Sequence, residues 1–99
     1  METKTNKPFV IVRGDRSGVF AGYLESRKGQ EVTLTKCRRI WYWDGAASLS
    51  QLAQSGTSKP ENCKFPEPTD SHLILDAIEI IPTSAIAHKS IDGVAIWRK

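Results

Sequence analysis

The chain has 99 residues, 39 % hydrophobic and 25 % charged, with a net charge of +3. That suits one small domain and excludes a second, since domains commonly run to about 100–150 residues, and so small an interior favours a site that is shallow or shared between subunits. Nine basic residues face four acidic ones in 1–43 and five face seven in 44–99, without the dense Lys/Arg runs of DNA-binding arms, so a local anion site is expected rather than a duplex-binding face.

Residues 1–7 read as a flexible N-terminal tail. No apolar core of a signal peptide follows them, and no run approaches the ~18 apolar residues of a spanning helix, so a cytoplasmic location is expected. Pro8 to Arg13 is a compact β-branched run that stops at Gly14-Asp15, with Ser17-Gly18 just after. Val19 to Glu25 and Glu31 to Lys36 follow across short turns, which predicts a three-stranded antiparallel meander. The third run continues through Arg38-Arg39-Ile40-Trp41-Tyr42-Trp43, with a bend or bulge near Cys37 to Arg39.

Asp44-Gly45 changes the period. Leu49, Leu52 and Ala53 then recur at helical spacing, predicting a short helix over 46–56 with Asp44 as a possible N-cap and Gly56 as its stop. Residues 57–71 hold three prolines and read as a long loop, functional or mobile. Leu73 to Ile81, ending at Pro82, reads as one central strand. Ser84 to Ile91 reads as a helix capped near Thr83, and Val94 to Trp97 as a last strand. The expected fold is α+β: a mainly antiparallel five-stranded sheet, or small open barrel, with two short helices.

Catalytic and metal chemistry find little support. His72 and His88 fall in different elements, no spacing gathers metal ligands, and no cofactor motif occurs. The serines near Leu49 occupy no recognised nucleophile turn. Cys37 and Cys63 are expected to be unbridged; Cys37 is either a thiol activated by Arg38 and Arg39 or simply packed.

The segment from Arg38 to Ser48 is different in kind. Guanidinium forks at Arg38 and Arg39 suit phosphate, Trp41 or Trp43 can stack on a base, and Gly45, Ala46 and Ser48 can offer backbone and hydroxyl donors at a helix start. Asp44 opposes an anion there. The other reading makes the aromatics core and interface, since Arg and Trp also dominate protein contacts. Strand alternation prevents all three aromatics from pointing inward. A second candidate is the turn of Arg13 and Arg16, a possible nest of backbone donors.

The block Arg38-Arg39-Ile40-Trp41-Tyr42-Trp43-Asp44-Gly45-Ala46, with Ser17 to Gly22 before it and Ala77 to Pro82 after it, resembles a family of small uncharacterised proteins of tailed phages and prophages. The resemblance implies a phage origin and a host-cytoplasm location. The function expected is non-catalytic: sequestration of a small phosphorylated nucleotide by a homo-oligomer. The alternatives are an inhibitor or adaptor that grips a protein through the Trp/Arg surface, and weak binding of single-stranded nucleic acid.

Overall fold

A computed structural model describes residues 7–98. The expected N-terminal tail therefore lies outside the described residues except for Lys7, which pairs with Glu25. Strands β1 (Phe9–Gly14), β2 (Val19–Lys28) and β3 (Glu31–Arg39) form the expected meander. Helix α1 (Leu49–Ser55) follows, then a 3-10 turn at Pro60–Asn62, strands β4 (Thr69–Ile74) and β5 (Ala77–Pro82), and helix α2 (Ala85–Asp92). The result is an α+β fold with an open antiparallel sheet in the order β4-β3-β2-β1-β5.

Three sequence expectations are corrected. The apolar stretch read as one central strand is two strands on opposite edges, split at Leu75-Asp76. The chain does not reverse there. It keeps its direction and changes partner from β3 to β1. Val94 to Trp97 forms no strand, only an isolated bridge between Phe65 and Ile96. Helix α1 starts later than expected, capped by Ser48 and not Asp44, because the Ser48 hydroxyl accepts from the Gln51 N–H at 3.2 Å.

The split strand shapes the sheet. A flat five-stranded sheet separates its edges by about 19 Å at ~4.8 Å per strand. The link from Ile74 to Ala77 spans at most about 11 Å. The sheet must therefore curl where this link crosses its open end. Asp15 N–H on Asp76 O (2.9 Å) and Ala77 N–H on Gln30 O (3.1 Å) fasten the crossing.

Curling buries both faces of β1, which explains its uninterrupted run of apolar residues. Val10 and Val12 point into the curl with Phe20, Val32, Leu34, Cys37 and Ile74. Phe9 and Ile11 point outward beneath the helices, against Leu52, Ala53, Phe65 and Ile91. The bulge expected near Cys37 is present: Lys36 takes φ 49° where the β2–β3 register shifts. Gly22 lies opposite, and a Cβ there would come within 3.1 Å of Cys37 Cα, so a side chain at this close approach would push the β3 backbone aside by a few tenths of an ångström.

Residues 57–71, expected as one long loop, hold the 3-10 turn and the first residues of β4. Cys63 and Phe65 are buried, and Lys64 pairs with Tyr42. Both cysteines are free thiols. Burial pushes the Cys37 thiol up to about 12 despite Arg39 nearby, so it is packed and not activated.

Candidate functional site

Adjacent strand residues point to opposite faces, and this separates the two arginines that the sequence placed together. Arg38 lies opposite Ala21 and turns toward the helices; Arg39 lies opposite Phe20 and turns toward the open end of the curl. Only one of them is available to a ligand.

Arg38 is 6 % exposed. Its Nη1 donates to the carbonyls of Val94 (2.7 Å) and Ile91 (3.2 Å), and its Nη2 to those of Phe65 (3.0 Å) and Ala95 (3.4 Å). The guanidinium also lies 5.3 Å from the Phe65 ring centroid. Burial pulls its pKa below the usual arginine range, and Asp92 partly offsets that pull. Expected to hold phosphate, Arg38 instead closes the end of α2 and ties down the C-terminal segment, where a cation suits the carbonyl end of a helix.

The expected phosphate cradle at α1 is also taken up within the chain. Ser48 caps the helix, and the Ala47 N–H donates to Gln51 Oε1 at 2.9 Å. Ala46 packs partly on the helix-side core and its carbonyl accepts from Trp43 Nε1 at 3.2 Å, so Trp43 serves packing and not stacking. Gly45, at φ 82°, is enclosed: a Cβ there would stand 2.5 Å from Lys59 N. Asp44 accepts from Asn62 Nδ2 (3.0 Å) and Gly45 N–H (2.8 Å), which lowers its pKa. It makes neither an N-cap nor an open ligand contact.

The Arg13 to Gly18 turn is a nest, as its composition suggests, but one already filled. Asp76 Oδ2 accepts from the N–H groups of Arg16 (2.8 Å) and Ser17 (3.1 Å), and its Oδ1 accepts from Ser17 Oγ at 2.5 Å. Arg13 is paired with Glu79 at 3.2 Å on the outer surface. The hydrogen bond from the Ser17 hydroxyl, then that from Arg16 N–H, holds the Asp76 carboxyl below the usual carboxylate range. Such a group stabilises the fold above its unfolded pKa, about 3.9, and loses that contribution as pH falls through its lower folded value. Urea midpoints measured from pH 6 down to pH 3 are expected to fall below about pH 4. They should fall less steeply in Asp76→Asn, with Asp44 accounting for part of the remaining slope.

The other predicted residues fall on two surfaces. The first is aromatic. Trp41 is 64 % and Tyr42 50 % exposed, and the N–H groups of both donate to Lys64 O, at 3.1 and 3.2 Å. Lys64 Nζ lies 6.0 Å from the Tyr42 ring and 5.6 Å from that of Trp97. The second is a shallow groove of about 430 Å³, lined by Arg16, Ser17, Phe20, Arg39, His72, Leu73 and Leu75 among others. The predicted residues thus divide: Trp41 joins the first surface and Arg16 and Arg39 the second. Leu73 and Leu75, exposed two positions apart, were the sequence signal for the groove, hidden by reading them as a central strand.

Residues 7–91 match the model of a domain of unknown function, DUF6948, over most of the chain. The chain belongs to the DUF6948 family. No curated protein and no solved structure matches it. The DUF6948 match contains the whole groove together with Trp41 and Tyr42, and it ends before Trp97. No described helix of this DUF6948 domain is long and apolar enough to cross a membrane. Among its described residues no group of three metal-ligating side chains comes together.

Proposed function

We propose that this domain acts by binding a protein partner, without catalysis, through the surface of Trp41, Tyr42, Lys64 and Trp97. The observation that carries the reading is the exposure of Trp41 and Tyr42 on backbone pinned to Lys64. Large aromatics held in place lose little entropy on binding and are the commonest anchors of protein interfaces. Lys64, set between two rings, favours a partner that brings a carboxylate beside an apolar surface. Nucleotide capture by this same segment is less favoured, because Arg38 and the N-terminal donors of α1 are engaged within the chain.

The resemblance to small phage and prophage proteins makes a bacterial host cytoplasm the setting we propose, and a host protein the partner. The immobilised domain is expected to retain one protein from host lysate that binds it stoichiometrically in calorimetry. Trp41→Ala should weaken that complex by roughly thirtyfold, the scale of an interface hot spot. Binding untouched by Trp41→Ala would refute the reading. Sedimentation of the domain alone separates out a homo-oligomer: an assembly that Trp41→Ala dissociates would make a second copy the partner.

A further inference from the structure

The groove at the open end of the sheet has no part in that aromatic surface. Its floor is Phe20, buried, with the Arg39 guanidinium 4.5 Å from the ring centroid and His72 at 5.0 Å on a tilted ring. One side carries Arg16 and the Ser17–Asp76 latch. Across from it Leu73 and Leu75 are 57 % and 64 % exposed.

Arg39 is held ready. Its Nη1 donates to Ser17 O at 2.6 Å, which fixes the plane of the guanidinium over Phe20. Among the described residues its guanidinium has no carboxylate within ion-pair distance and makes no other hydrogen bond. A guanidinium has five donors in a fixed fork, so a partly buried one with most of them unused suits an incoming anion. Among the described residues the charges lining the groove are two arginines and one carboxylate. That carboxylate, Asp76, has both oxygens turned onto the Arg16–Ser17 turn. His72 presents a ring whose protonation is disfavoured by burial and by Arg39.

A bare anion does not account for the rest. Phe20, Leu73 and Leu75 give the groove a largely apolar lining, and guanidinium planes accept stacked rings. Its volume, about 430 Å³, falls within the span of small-ligand pockets. We propose that this groove binds a small ligand joining a phosphate to a flat ring, of the nucleoside monophosphate class. Arg39 and Arg16 take the phosphate, while the ring lies between the Arg39–Phe20 stack and the two leucines.

Titration of the uniformly labelled domain with adenosine monophosphate and uridine monophosphate, followed by amide chemical shifts, tests this. Saturable shifts are expected at Ser17, Phe20, Arg39 and Leu73, and none at Trp41 or Tyr42. Arg39→Gln should weaken binding about tenfold or more, the scale of a charge-assisted hydrogen bond. Because that variant also loosens the Ser17 turn, Leu75→Glu provides a second test from an exposed rim position, and the same loss is expected with an unchanged melting temperature. Adenosine alone and inorganic phosphate alone should each bind more weakly than the nucleotide. The proposal is overturned by the absence of groove shifts at millimolar nucleotide, by phosphate binding as tightly as the nucleotide, or by affinity that survives both substitutions. A short oligothymidylate that binds much more tightly than the mononucleotides, with a steep salt dependence, would also overturn it and assign the groove to single-stranded nucleic acid.

Discussion

Replacing Arg38 with methionine is expected to destabilise the domain by about 3 kcal/mol or more, enough to lower the melting temperature of a domain this size by more than about 10 °C. Methionine preserves much of the apolar stem but removes both terminal nitrogens. The Val94 carbonyl, which accepts at 2.7 Å, then loses its donor in a buried setting, and the carbonyls of Ile91, Phe65 and Ala95 lose a share of theirs. Four acceptors from two separated pieces of chain, Phe65 and the stretch from Ile91 to Ala95, depend on one side chain. Arg38 Nε has no partner of its own, so the wild type already bears a small penalty that methionine removes, though this does not offset the loss. Arg38→Lys keeps the charge on a single nitrogen and should recover only part of the stability. Thermal unfolding followed by circular dichroism decides it: a melting temperature within a few degrees of wild type for Arg38→Met would mean that the carbonyl network carries no weight.

Phe65→Ala is expected to cost about 3–5 kcal/mol, the usual range for emptying a buried phenylalanine site. Phe65 is fully buried among Leu52, Ile91 and the other residues beneath the helices. Its backbone is equally committed: the carbonyl accepts from Arg38 Nη2 (3.0 Å) and from Trp97 N–H (2.9 Å). Losing the ring should therefore release both the segment after the 3-10 turn and the C-terminal segment. Urea unfolding measures the cost. Since Arg38 lies over the Phe65 ring, the two substitutions are not independent, and the double variant should lose less than the two single losses combined. Simple additivity would show that the ring and the guanidinium do not stabilise one another.

These two residues mark where the sequence is hard to read. Phe65 sits in a stretch whose prolines and lack of periodicity look like a loose loop. Cys63 and Phe65 anchor it, and two apolar residues produce no pattern. Arg38 and Arg39 are neighbours of identical chemistry, and their alternation on β3 shows that they face opposite ways without showing which way is covered. The aromatic block is similar. Alternation predicts that some ring faces outward, but the chain leaves the sheet after Arg39, so Trp41 and Tyr42 are both exposed while Trp43 packs inward.

What the sequence determined by itself is local: the meander of β1 to β3 with its bulge, both helices with Gly56 ending the first, two unbridged thiols, and an aromatic surface that must face something. Those follow from residue spacing, turn chemistry and capping, which act over a few positions. Only the tertiary structure decided the rest. The extended run from Thr69 to Pro82 changes partner from β3 to β1 at Leu75-Asp76, and the curl this forces gives the sheet two buried faces. That curl consigns Arg38 to carbonyls 27 to 57 positions away, fills the Arg16–Ser17 nest with Asp76, and leaves Arg39 facing a groove. Such assignments depend on which distant segment covers each face, and no local pattern encodes that.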